Sequence, residues 1–150
     1  MSSIIKAFSN GYNRMVEKSW DHIYILIDIH GTVFKPCYHN KETYDFYKFA
    51  KETLQELSKY DFFKLIMWTS SNKDTINDFI RVFNENDIHF DYVNENPEIH
   101  ALSSDPKSSD FSDKFYFNVG IDDKFGFEGE KDWKTIYDYL VENIRLGKFK

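Results

Sequence analysis

The sequence has little of what marks several protein classes. It contains one cysteine, Cys37, in 150 residues, which excludes an internal disulfide and fits a reducing compartment. Its longest apolar run, residues 23–27, is far too short to span a bilayer, so no membrane partner is expected. The N-terminal residues lack the apolar stretch of a signal peptide, and we therefore expect a cytoplasmic protein.

Positive charge is also in deficit. There are 19 lysines and arginines against 25 aspartates and glutamates, giving a formal net charge of -6. Proteins that bind long nucleic acid rely on a basic surface that displaces counterions, so extended nucleic acid is not an expected partner. An acidic protein can still bind phosphate through a metal ion, which leaves a nucleotide or a nucleic-acid end open as a ligand.

Large apolar side chains are abundant. The chain has 15 phenylalanines, 10 tyrosines and 3 tryptophans, and 41% of its residues are hydrophobic. This composition excludes intrinsic disorder, and the length is typical of one domain with one core.

Short apolar runs alternate with segments of helical spacing. Strands are predicted at residues 23–29, 62–68, 88–93 and 115–121. Helices are predicted over residues 2–19 and 42–57, after a cap at Asn72 or Asp74, and after a cap at Asp132. This alternation predicts an α/β fold, a three-layer sandwich with a mainly parallel, Rossmann-like central sheet.

Polar side chains follow three of the predicted strands. Asp28 ends the first, Thr69 follows the second, and Asp122 with Asp123 follows the last. Ligand sites in open α/β sheets form at the carboxyl ends of the strands, so these groups are expected to converge. Two or three carboxylates with a hydroxyl suit Mg²⁺, which prefers oxygen ligands.

These segments resemble the motifs of the haloacid dehalogenase-like phosphatase superfamily. Residues 25–33 resemble its first motif, DxDGT, and residues 65–69 resemble its second, a hydrophobic strand ending in Thr or Ser. Lys114, eight residues before Asp122, is similar to the phosphate-binding lysine, and residues 120–123 resemble the acidic fourth motif. The resemblance implies a catalytic domain over residues 22–146, with residues 1–21 as an N-terminal extension of helical spacing and 147–150 as a tail.

The resemblance also implies roles for individual residues. Asp28 would be the nucleophile of a phosphomonoesterase, forming an aspartyl-phosphate. Mg²⁺ would be held by the Asp28 carboxylate, the main-chain carbonyl of His30 and Asp122, with Asp123 assisting. Thr69 and Lys114 would bind the phosphoryl oxygens.

The chain departs from the first motif at His30, where the superfamily usually has a second aspartate. An imidazole can exchange protons near neutral pH, so His30 is a candidate acid/base group. The alternatives are a histidine that only contacts substrate or structure, and a catalytically weakened phosphate-binding or protein-interaction module on the same fold. Lys107 is the alternative to Lys114.

A response-regulator receiver is disfavoured, because its acidic pair follows the first strand, whereas this chain has the single Asp28 there. The intervals where the superfamily inserts cap domains, residues 33–41 and 94–113, are too short to hold one. We therefore expect an open, capless site for a phosphorylated substrate of unspecified identity, in a protein whose oligomeric state is left open.

Overall fold

The computed structural model describes residues 2–36, 44–99 and 115–149. Its described elements are, in chain order, α1 (Ser3–Lys18), β1 (Ile23–Asp28), α2 (Ala50–Ser58), β2 (Phe63–Trp68), α3 (Lys73–Glu85), β3 (Tyr92–Val93), β4 (Val119–Ile121), a 3₁₀ turn (Asp123–Phe125) and α4 (Asp132–Arg145). None of the helices in these ranges is long and apolar enough to cross a membrane.

The described strands form a parallel sheet in the order β3-β2-β1-β4. β1 is central, with Asp28 paired to Trp68 of β2 and Ile27 paired to Ile121 of β4. The predicted α/β, Rossmann-like architecture with a parallel central sheet is confirmed.

Alternate residues of β1 supply two separate cores. The larger contains Ile23, Ile25 and Ile27, packed with apolar side chains of the four helices. The smaller contains Tyr24 and Leu26, with Tyr92, Phe115 and Tyr116 among the residues that cover it. Because both faces are covered, β1 is apolar until Asp28, the first polar group at its carboxyl end.

α1 packs into the larger core through Ile4, Phe8 and Met15. It approaches β4 closely at Gly11, where an added Cβ would lie 3.1 Å from the Cβ of Asn118. A larger residue there would push the helix from the sheet. The division of the chain at residues 21 and 146 stays a prediction.

Three predicted elements are shorter than expected. The strand predicted over residues 88–93 is β3, Tyr92–Val93, because only Tyr92 and Val93 pair with β2. α2 begins at Ala50, not residue 42, because Phe46 pairs with Phe34 in an antiparallel bridge and Phe49 has a positive φ of 69°. The strand predicted over residues 115–121 pairs with β1 only over Val119–Ile121.

Of the predicted helix caps, the one at Asn72 is confirmed and the one at Asp132 is wrong. Asn72 caps α3, its side chain accepting a hydrogen bond from the Thr75 amide at 2.9 Å. The cap predicted at Asp132 is wrong, because Asp132 is the first helical residue of α4. Its carboxylate instead accepts a hydrogen bond from the Glu128 amide at 2.7 Å, which fixes the turn before the helix.

Candidate metal and phosphate site

Three carboxylates converge where β1 and β4 end. Ile27 and Ile121 are paired in neighbouring parallel strands, so the next residues, Asp28 and Asp122, lie side by side. Asp123 begins the 3₁₀ turn that follows. One carboxylate oxygen from each of the three aspartates lies within 4.8 Å of the other two. The predicted convergence of these acidic side chains is therefore present in the fold.

The electrostatics of this group favour a cation. Burial raises the pKa of Asp28, and the negative charges of Asp122 and Asp123 raise it further. Burial also raises the pKa of Asp122, with Asp123 adding to the effect. Carboxylate oxygens are the donors that Mg²⁺ prefers, and a cation held among them would offset the repulsion between them. These residues thus fit the metal that the sequence predicts.

Thr32 connects Asp28, at the end of β1, to Asp123, which follows β4. Its buried hydroxyl donates a hydrogen bond to Asp28 Oδ2 at 2.8 Å and accepts one from the Asp123 amide at 3.2 Å. Its carbonyl accepts a hydrogen bond from Trp133 Nε1 at 2.8 Å, which ties the turn after β1 to α4. The hydroxyl bond lowers the pKa of Asp28 and opposes the effect of burial.

Asn94 holds the loop after β2 in place. Its Oδ1 accepts a hydrogen bond from the Thr69 amide at 2.9 Å, and its Nδ2 donates one to the Thr69 carbonyl at 2.8 Å. Asn94 adopts a positive φ of 54°, a conformation that asparagine tolerates better than most residues. The Thr69 hydroxyl donates to Ser71 Oγ at 3.0 Å and accepts from the Ser71 amide at 3.1 Å.

A cleft of about 340 Å³ is lined by residues at the carboxyl ends of the strands. The residues that line it include Asp28, Trp68, Thr69, Asn94, Asp122 and Lys124. Lys124 brings positive charge to the cleft, and that charge lowers the pKa of Asp122. The cleft thus places carboxylate, hydroxyl and amide groups and an ammonium group around one space.

A second cleft of about 380 Å³ lies between α3 and β3. Its described lining is apolar apart from Asn84, Tyr92 and the acidic residues Asp91 and Glu95. With acidic groups and no lysine or arginine among the described lining residues, it is a poor place for a phosphate. The carboxylate cleft is the better candidate although it is slightly smaller.

The structure places the other predicted site residues differently. His30 is exposed, two residues beyond β1, and it is not one of the described residues that line the carboxylate cleft. Next to it, Gly31 has a φ of 82°, a conformation that residues with a side chain rarely adopt. Lys114 and its alternative Lys107 lie outside the described residues, so their roles stay predictions.

Three residues of the site were missed in the sequence. Asn94 follows the third predicted strand, so the rule applied to the other strand ends would have found it. Lys124 stands two residues after Asp122, a nearer lysine than Lys114. Thr32 lies within the first motif, but the partners of its hydroxyl depend on contacts across the fold.

Comparison with known proteins adds support for the fold. No family model matches the chain, and no curated protein matches it significantly. It is similar to the solved structure of a conserved protein coded by a locus from Bacteroides thetaiotaomicron, with 26% sequence identity and a TM-score of 0.59. The match covers 81% of this chain and 92% of that one. The description of that protein states no activity, so the similarity supports the architecture alone.

Proposed function

We propose that this protein is a Mg²⁺-dependent phosphomonoesterase of the haloacid dehalogenase-like superfamily, with Asp28 as its nucleophile. The observation that supports the proposal is the convergence of Asp28, Asp122 and Asp123 within 4.8 Å beside the loop of Thr69. Strand-end carboxylates alone are common in turns. Here Asp28 and Asp122 meet across two strands in a cleft that a lysine also lines, which is the arrangement phosphoryl transfer needs.

The chemistry divides into two displacements. An oxygen of Asp28 attacks phosphorus, the bond from phosphorus to the ester oxygen breaks, and the departing oxygen takes a proton from His30 or from water. Water then attacks the aspartyl-phosphate and gives up a proton, the bond from phosphorus to Asp28 breaks, and phosphate leaves. Thr32 restrains the Asp28 carboxylate throughout by donating to Oδ2.

Asp28, Asp122 and Asp123 would hold Mg²⁺, together with the carbonyl of His30 if the resemblance extends to that atom. The metal would supply positive charge against the anionic nucleophile and the anionic phosphoryl group. Lys124 lines the same cleft and offers a second positive charge, and Thr69, a predicted phosphate ligand, lines it too. The role of Lys114, outside the described residues, stays a prediction.

The test is phosphate release from p-nitrophenyl phosphate by the wild type, by Asp28→Asn and by the control Asp138→Asn. Asp138 is an exposed α4 residue paired with Lys134, so its variant makes the same charge change away from the cleft. We expect Asp28→Asn to lower turnover by more than about 10³-fold. EDTA should abolish wild-type turnover and added Mg²⁺ should restore it, whereas activity that survives both EDTA and Asp28→Asn would refute the proposal.

One observation favours a second candidate function. His30 is exposed and is not one of the described residues of the cleft, so the site has a nucleophile without an evident acid/base partner. A phosphate-binding module that hydrolyses poorly would have this arrangement. It predicts binding of Mg²⁺ and phosphate without turnover across a panel of phosphomonoesters, and ordinary enzymatic turnover on any of them would exclude it.

A further inference from the structure

Trp68 stands directly beside the proposed nucleophile. It is the last residue of β2 and is paired in register with Asp28 of β1. Paired residues of neighbouring parallel strands project to the same face of a sheet, and the strands lie about 4.8 Å apart. Trp68 lines the carboxylate cleft together with Asp28 and Thr69.

Trp68 is also unusually open for a residue of the central sheet. Its relative exposure is 37%, whereas its two predecessors in β2, Ile66 and Met67, are fully buried. An aromatic ring of this size beside a polar cleft offers a flat apolar surface at the entrance to the site.

Other rings support Trp68 from outside the cleft. The Phe115 ring lies 5.2 Å from the Trp68 ring at an interplanar angle of 57°. Phe117 follows, with its ring centre 6.4 Å from that of Phe115, and is stacked on Phe125. This aromatic row, Trp68, Phe115, Phe117 and Phe125, holds Trp68 against the strand end and leaves part of its surface to solvent.

We propose that Trp68 binds a planar aromatic group carried by the phosphate ester, so that aromatic phosphomonoesters are the preferred ligands. This inference rests on the proposed function for the placement of the phosphate at Asp28. The acidic charges of the cleft repel an anion unless the cation is present, which leaves the neutral part of the ligand to supply affinity and selectivity. Stacking on Trp68 supplies both, because it does not depend on charge.

The first experiment measures binding and does not depend on turnover. Titration calorimetry in Mg²⁺ compares phenylphosphonate with methylphosphonate, two ligands that differ in the ring and cannot be hydrolysed as esters. The proteins are the wild type, Trp68→Leu, Trp68→Phe and the control Trp20→Leu, whose ring packs on Tyr116 away from the cleft lining. Thermal unfolding of each variant checks that it is folded.

We expect the wild type to bind phenylphosphonate about tenfold more tightly than methylphosphonate. Trp68→Leu should remove this preference, while Trp68→Phe and Trp20→Leu should keep most of it. Equal affinity of the wild type for both ligands, no binding of phenylphosphonate, or a preference that survives Trp68→Leu would each overturn the inference.

The second experiment identifies the source of the ring. Turnover of phenyl phosphate, adenosine 5′-monophosphate and glycerol 3-phosphate is compared in the wild type and in Trp68→Leu. A rise in KM confined to phenyl phosphate indicates a ring bonded directly to the ester oxygen, and a rise confined to the nucleotide indicates a nucleobase. Phosphonate preference without any Asp28-dependent turnover would refute the proposed function alone, whereas turnover without ring preference would refute only the role of Trp68.

Discussion

The Thr32 hydroxyl makes two hydrogen bonds within the candidate site. Thr32 is fully buried, and this hydroxyl group serves both as donor to Asp28 and as acceptor for the Asp123 amide. Either partner left without this hydroxyl would be a polar group in or near the protein interior with a missing hydrogen bond. The Thr32 oxygen therefore links the Asp28 carboxylate to the backbone of Asp123, in addition to the strand pairing that brings Asp28 beside Asp122.

Replacing Thr32 by valine tests this dependence, because valine has nearly the same shape and no hydroxyl. We expect Thr32→Val to lower the free energy of unfolding by about 1–3 kcal/mol and to reduce turnover, since both hydrogen bonds are lost. Denaturant unfolding and phosphate release measure the two effects. Thr32→Ser is the matched control and should retain most of the turnover; a fully active Thr32→Val protein would show that the hydroxyl does not position Asp28.

At the scale of elements, the sheet imposes the crowding of negative charge. The register of β1 with β4 forces Asp28 and Asp122 together, and Asp123 follows without a spacer. In the absence of a cation their mutual repulsion opposes folding. The arrangement is unfavourable for stability and favourable for metal binding.

Asp122→Asn separates these two effects. The variant removes a charge and retains Oδ1, which accepts the Lys124 amide at 2.9 Å. In EDTA we expect its melting temperature to exceed that of the wild type by a few degrees, as a gain of about 1 kcal/mol would give in a chain of this length. Mg²⁺ should then stabilise the wild type much more than the variant, and scanning calorimetry with and without Mg²⁺ measures both shifts.

The control for this experiment is again Asp138→Asn, for which the Mg²⁺-induced shift should match that of the wild type. If Asp122→Asn responds to Mg²⁺ as strongly as the wild type, Asp122 is not a metal ligand.

The same elements show what can be predicted from the sequence. β1 and β2 are predicted to within a residue at each end, because strands buried on both faces are continuous apolar runs. The start of α2 is not, because the helical spacing of residues 42–57 also fits a segment in which Phe46 pairs with Phe34. Periodicity reports only local preference, and a long-range pairing overrides it.

Only part of the candidate site can be predicted from the sequence. Asp28, Thr69 and Asp122 are predicted because the carboxyl ends of parallel strands meet at one edge of the sheet. The contacts of Thr32 and Asn94 are not, because each depends on hydrogen bonds to backbone or side-chain groups that are distant in the sequence. Lys124 is not predicted, because the resemblance implies Lys114 as the phosphate-binding lysine.

At the scale of the whole molecule, a polar network spans the second face of the sheet. Glu98 accepts hydrogen bonds from the phenols of Tyr24 in β1, at 3.3 Å, and Tyr92 in β3. The hydrogen bond to Glu98 and burial raise the pKa of Tyr92 to about 12. Burial, with the charge of Glu98, also raises the pKa of Tyr24.

This network predicts how stability falls in alkali. A phenol in the unfolded chain ionises near pH 10, below the folded pKa of Tyr92, so its contribution to stability is complete below pH 10 and is lost as the pH rises through about 12. Guanidinium unfolding between pH 9 and 12 should give a shallower decline for Tyr92→Phe than for the wild type. The control Tyr60→Phe, at a tyrosine outside this network, should decline as the wild type does; equal slopes for all three would contradict the network's role.

The order of the strands in the sheet determines when the candidate site can form during synthesis of the chain. β4 is the last described strand of the chain, yet its partner is β1, the first. A nascent chain that ends before Val119 contains Asp28 and most of the cleft, but neither Asp122 nor Asp123. Phosphate chemistry at Asp28 would therefore require that β4 has paired with β1. A bound cation would then link Asp28, at the end of the first strand, to the aspartates that follow the last described strand.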